Sequence, residues 1–222
     1  MTTKERVTGV LELLDVHYPV DGTCYLDYSK PYELMIATIL SAQCTDERVN
    51  QVTASLFKKY PTLESFAEAD VSEMEKDVKS TGFYRNKAKN IIEASHTLLT
   101  IHNAKMPSDI DELTKLAGVG RKTANVIRSH IFKLPSVVVD THVKRISGKL
   151  GFTKNTNPDK IEQDLMKVLP KAKWSDYNIQ IIAHGRAICK APTAKCGECF
   201  MTHLCKFYSR ETSQIAKKRV RK

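Results

Sequence analysis

The sequence predicts an all-α protein. Three observations carry that prediction: apolar residues recur at helical spacing along most of the 222 residues, convincing alternating strands are absent, and capping or breaking signals punctuate the chain at short intervals. Residues 3 to 18 place Val7, Val10, Leu11 and Leu14 on one stripe of a first helix. Lys30-Pro31 opens a second helix ending near Ser41, and its Leu, Ile, Met and Ala content marks it as a core helix buried on most sides. Gln43, Cys44, Thr45 and Asp46 interrupt the pattern, with Thr45 or Asp46 capping a helix towards Tyr60. Pro61-Thr62 and Ser72 start two short helices, the second ending at Gly82. Residues 81–87 read as a loop holding two aromatics, Phe83 and Tyr84, among basic residues. A helix then spans 86–102, with Ile91, Ile92, Leu98 and Leu99 facing inward, and another runs from Asp109 to Leu116 behind Pro107-Ser108. After an extended Val137-Val138-Val139 come three more helices: one to Leu150 stopped by Gly151, one opened by Asn157-Pro158, and a long one from Trp174 to Cys189. The basic residues at the end, Lys217 to Lys222, have little to bury, which predicts a disordered tail over 212–222.

Composition narrows the partners. The formal net charge is +10 (35 Lys and Arg against 25 Asp and Glu), which suits a polyanion, nucleic acid above all. No long uncharged apolar run approaches a membrane span, and Met-Thr-Thr-Lys-Glu-Arg lacks an apolar signal region. A cytoplasmic protein is expected, associated with the nucleoid through DNA. In a reducing compartment six cysteines point to metal or redox chemistry before disulfides.

The stretch Leu-Ala-Gly-Val-Gly-Arg-Lys-Thr-Ala-Asn-Val-Ile, residues 116–127, joins a two-glycine turn to a helix starting near Arg121. Gly118 and Gly120 allow a tight turn with bare backbone amides, and amides at a helix N-terminus favour a phosphate. With the helix before it, the unit over about 108–132 has the size and signals of a helix-hairpin-helix. Lys122 falls in the first turn of the second helix. The helix dipole there disfavours an ammonium and favours the neutral amine, the form that attacks a sugar or carbonyl carbon.

Cys189, Cys196, Cys199 and Cys205 form Cys-x6-Cys-x2-Cys-x5-Cys, one compact soft-ligand site. Spacing does not exclude zinc, but the irregular intervals suit a [4Fe–4S] cluster better than paired zinc knuckles. Cys24 and Cys44 read as small core residues. Asp140 stands directly before a helix, where Asp is favoured as an N-cap. Trp174 reads as core.

Taken together these motifs resemble the endonuclease III family. The Leu-x-Gly-Val-Gly-Arg-Lys-Thr-Ala stretch, Val139-Asp140-Thr141-His142 and the four-cysteine loop occur in that family's order and spacing. So do Leu40-Ser41-Ala42-Gln43, Lys87-Ala88-Lys89-Asn90-Ile91-Ile92 and His184-Gly185-Arg186, and the match runs to about residue 208. The resemblance implies a two-domain helical glycosylase fold: a helical barrel domain over 23–135, and a cluster domain made of 1–22 and 136–211, with the substrate cleft between them. It implies a bifunctional DNA glycosylase and AP lyase of base excision repair, acting as a monomer on double-stranded DNA with oxidised pyrimidines or abasic sites. Lys122 matches the nucleophile and Asp140 its carboxylate partner, while the four cysteines match the [4Fe–4S] site. The damaged base leaves the duplex; Gln43 and Phe83 match positions that fill the gap behind it. The DNA-facing set is completed by Gly118, Val119, Gly120, Arg121, His142, Lys144 and Arg145.

Three positions depart from the family pattern: Ala117 stands where proline is expected, Phe83 where aliphatic residues are common, and Thr114 where some members carry an acid. They leave the lesion preference open. Two alternatives share parts of the pattern. An adenine-mismatch glycosylase lacks a lysine at position 122, and a non-catalytic DNA-binding or iron–sulfur sensor protein has no need of the Lys122 and Asp140 pair.

Overall fold

Side-chain caps decide where most of the helices begin. The computed structural model describes residues 1–20 and 24–220, the side chains of 214–220 excepted. Among these the α-helices are α1 (Thr3–His17), α2 (Pro31–Leu40), α3 (Asp46–Lys59), α4 (Leu63–Ala67), α5 (Val71–Val78), α6 (Tyr84–Thr100), α7 (Ile110–Thr114), α8 (Arg121–His130), α9 (Thr141–Leu150), α10 (Pro158–Val168), α11 (Trp174–Ala187) and α12 (Lys206–Val220). Thr2, Thr45, Thr62, Asp70, Asp109, Asp140 and Asn157 each accept a first-turn N–H of the helix that follows. The described residues contain no β-strand, and Val137–Val139 belongs to no helix or strand.

The chain divides into two compact units, Thr23–Leu134 and the pair Met1–Gly22 with Pro135–Lys222. In the first, α2 is the central element. Eight of its ten residues, Glu33 through Leu40, are buried, as its uninterrupted apolar content requires. Phe66, Met74, Ile91, Leu98, Leu113 and Ile127 complete that core. Cys24 and Cys44 pack at its margin. In the second unit Val10, Leu14, Val143, Ile146, Ile161, Leu165, Tyr177 and Ile181 form the core. Tyr177 is wholly buried, and its hydroxyl lies 2.9 Å from Ser147 Oγ, so the polar tip is satisfied. Trp174 packs against the same core and donates its Nε1–H to Leu169 O at 3.1 Å.

One local boundary needs correction. The helix expected from residue 86 begins two residues earlier, at Tyr84, inside the segment read as loop. α6 begins directly after Phe83, which offers no capping side chain, so no side-chain signal marked the boundary. Residues 212–220, part of the tail expected over 212–222, belong to α12. No glycine or proline interrupts 206–220, and Thr212 Oγ1 donates back to Tyr208 O at 2.9 Å along the helix. Arg221 and Lys222 lie outside the described residues.

Candidate active site and cysteine pocket

The hairpin between α7 and α8 is built by backbone geometry. Val119 N–H closes the turn on Leu116 O at 3.0 Å, and the Val119 side chain is buried. Gly118 sits at φ +75°, and a Cβ there would come 2.9 Å from Asn90 Cβ and Nδ2 on α6. Only glycine meets both demands, the left-handed backbone and the close approach. Gly120 differs: its φ is −83°, and nothing lies within 4 Å of where a Cβ would stand. It is the N-cap of α8, and no side-chain cap closes that helix. The N-terminus is therefore left to whatever anion approaches it.

α8 then turns one face inward and one outward. Ala124 and Ile127 are wholly buried, and burying Ile127 stabilises the hairpin by roughly 2–3 kcal/mol. That anchoring leaves Lys122 exposed in the first turn, beside the uncapped end. Arg121 is exposed too, while Ala117 packs against the core, at the position where proline was expected. Thr114 ends α7 on the surface, its Oγ1 donating to Asp111 O at 3.1 Å.

In the other unit Asp140 caps α9: Val143 N–H donates to its Oδ1 at 2.7 Å. One carboxylate oxygen thus holds the side chain to the helix end. The following turn is packed against α11 by a close approach, since a Cβ at Gly185 would collide with the His142 ring and press on Ile146. His142 Nδ1 lies 3.2 Å from Arg145 Nη2, which also donates to Cys189 O at 2.9 Å. A guanidinium carries no acceptor, so the histidine nitrogen must accept.

Cys189, Cys196, Cys199 and Cys205 line one cavity with Ile146, Leu150, Ile188 and Met201. Local structure places two of them directly, because the 3₁₀ turns at Cys196–Glu198 and Thr202–Leu204 end on Cys199 and Cys205. The surroundings are apolar, and burial pushes the Cys189 and Cys199 thiols up, with Lys149 and Arg145 opposing this at Cys189. Four soft donors round one apolar cavity, with burial disfavouring the thiolates of Cys189 and Cys199, fit a group that brings its own positive charge. Among the described residues, no three His, Cys, Asp or Glu side chains are placed to hold a single metal ion.

A model of the HhH-GPD superfamily of base excision DNA repair proteins matches residues 36–171. An endonuclease III of Synechocystis sp. is 51% identical over 203 residues, covering 91% of this chain and 92% of its own. The chain belongs to the endonuclease III family. The Bacillus subtilis endonuclease III is 45% identical over 207 residues, 93% of this chain and 94% of its own. Two endonuclease III structures match at 43% identity. One is a trapped covalent intermediate with DNA in an estranged-adenine complex, with a TM-score of 0.89 over 96% of this chain and 100% of the other. The second is a non-covalent complex with DNA, with a TM-score of 0.88 over the full length of both. A thermostable thymine-DNA glycosylase at 21% identity and a TM-score of 0.84 shares the fold.

Against this endonuclease III framework the remaining expected residues fall into distinct environments. Gln43 and Phe83 are exposed, Phe83 by 63%, and both have left-handed backbones, at φ +54° and +48°. Such strain in non-glycine residues concentrates at functional positions. Lys144 is exposed, whereas His142 and Arg145 are half-buried and engaged within their own unit as described. Arg145 was expected as a phosphate contact; its guanidinium ties α9 to the start of the cysteine loop. Val119, expected beside the glycines, serves the core and the turn. Sequence reasoning passed over Lys87, whose ammonium is buried. No local signal reveals it, because one of its acceptors lies forty-seven residues away.

Among the described residues no helix is long and apolar enough to cross a membrane.

Proposed function

We propose that Lys122 is the nucleophile through which this chain removes damaged bases and nicks the strand. As a member of the endonuclease III family, the protein is a DNA glycosylase and AP lyase of base excision repair. The observation that carries the assignment is the exposed lysine in the first turn of α8, at an N-terminus without a capping side chain. A DNA phosphate at that end neutralises the dipole's positive pole and registers the strand against the hairpin. The Lys122 amine then attacks C1′ of the lesion nucleotide, and the N-glycosidic bond breaks with the base as leaving group. The sugar ring opens to an imine on Nζ. Loss of a C2′ proton breaks the C3′–O bond by β-elimination, and hydrolysis of the imine returns the free lysine. Asp140 supplies the carboxylate that assists attack and steadies positive charge developing on the sugar. Its cap bond uses one oxygen and leaves the second for that role. Oxidised pyrimidines are the substrates we assign, with Gln43 and Phe83 filling the space the base vacates.

Cys189, Cys196, Cys199 and Cys205 are the residues we assign to a [4Fe–4S] cluster. Four thiols round one cavity, in a member of the endonuclease III family, support a cluster over zinc. When bound it would supply positive charge to the thiolates and rigidity to a loop bearing Lys190 and Lys195. A brown protein whose visible absorbance disappears on cluster removal is the expected finding; a colourless preparation with stoichiometric zinc rejects it.

Borohydride reduction during reaction with lesion-bearing duplex tests the mechanism. A covalent adduct is expected from the native protein and none from Lys122→Gln. A relative 43% identical has been trapped as a covalent intermediate with DNA, the kind of species this route forms. A native protein that yields no adduct rejects the imine route.

A further inference from the structure

Lys87 is a buried cation that the chemistry above does not use. It is 4% exposed, and its ammonium donates to Leu40 O at 2.8 Å and to Thr81 O at 2.7 Å. No carboxylate pairs with it among the described residues. Burial lowers its pKa, opposed by the neighbouring Cys44. A buried ammonium held only by carbonyls is costly, and an apolar side chain of similar length would fill the space without that cost. What the charge holds is specific. Leu40 is the last residue of α2, and Gln43 follows three positions later in the connection to α3. Thr81 closes a 3₁₀ turn, and Phe83 follows two positions later at the start of α6. Lys87 N–H itself donates to Phe83 O at 3.1 Å. One residue therefore grips the roots of both strained, exposed loops of this unit that carry the assigned gap-filling side chains.

We propose that Lys87 is a positioning residue that locks the Gln43 and Phe83 loops together, so that they enter the duplex as one unit and govern base extrusion. This rests on the reading of Gln43 and Phe83 as gap-filling residues. The two carbonyls belong to segments far apart in sequence, so nothing local keeps their spacing. A single ammonium bonding both fixes it, and preorganised support of this kind decides whether a constellation acts at the right distance. A strand with an abasic site and no partner strand has no base to extrude, so the chemistry on it is independent of the lock.

Lys87→Met separates the two functions. Excision from a lesion-bearing duplex should fall by about 10-fold or more, as for a misplacement remote from the chemistry, while scission of a preformed abasic site in single-stranded DNA stays near native. Lys87→Arg, which keeps a cation able to bond both carbonyls, should recover part of the duplex activity. Equal loss on both substrates, or loss on neither, overturns the proposal. Should Lys87→Met not fold, a double-mutant cycle between Gln43→Ala and Phe83→Ala in the otherwise native protein decides. Loops acting as one unit give a second truncation that costs less than the first; additive losses overturn the lock. Single truncations that leave duplex excision untouched overturn the gap-filling assignment and the lock with it. A native protein without a borohydride adduct overturns the Lys122 mechanism instead, a result distinct from either.

Discussion

α8 and α9 are helices of equal length, ten residues each, that begin in opposite ways. α9 is closed by its own Asp140, whose carboxylate takes up Val143 N–H. α8 starts from Gly120 with no side-chain cap, although a side chain would fit there without a clash. Sterics do not explain that glycine, and a cap would stabilise the helix. The contrast assigns each end its role. The closed end holds an anion the protein supplies, the carboxylate we propose as catalytic; in the same proposal the open end, with Lys122 beside it, takes an anion the DNA supplies.

The comparison breaks most sharply at the two residues we propose for the chemistry. Lys122→Gln should lower base excision by about 10³-fold or more. Because the side chain is exposed, its thermal midpoint should stay near native. Next in size is Asp140, where two substitutions separate cap from chemistry. Asparagine caps as well as aspartate, so Asp140→Asn should keep the melting temperature while excision falls about 10²-fold. Asp140→Ala should show that loss and in addition about 1 kcal/mol of destabilisation, read by denaturant unfolding. Equal stability losses in the two variants would mean that the cap bond is not what holds this carboxylate. Smaller still is Gly118→Ala, which imposes a left-handed backbone and a contact on Asn90. It should cost about 1–3 kcal/mol and lower DNA affinity by disturbing the turn.

The two ends also differ in how far the sequence reveals them. Gly118, Gly120 and Lys122 follow one another in a short motif, and Asp140 precedes a clear helical pattern, so both ends were visible as local chemistry. The cysteines were visible by spacing. What stayed hidden depends on contacts distant in sequence. Arg145 looked like a surface cation, but its guanidinium reaches a carbonyl forty-four residues on. Nothing in glutamine or phenylalanine announces a positive φ, and the left-handed backbones of Gln43 and Phe83 follow from the elements they connect. Lys87 reads as one more basic residue until the fold brings Leu40 and Thr81 to it. Spacing reports which helix face a residue occupies; it does not report which remote carbonyl arrives there.

The claim that the α8 end is kept open for a DNA phosphate is tested most directly by closing it. Gly120→Asp places a cap like that of α9 at a position with a suitable backbone and free space. Binding to duplex containing a non-cleavable abasic analogue should be measured against salt, alongside thermal unfolding. The account predicts a protein at least as stable as native, by up to a few tenths of a kcal/mol, with roughly 10-fold weaker binding and a salt dependence reduced by about one counterion. A capped variant that binds with native affinity and native salt slope would contradict it.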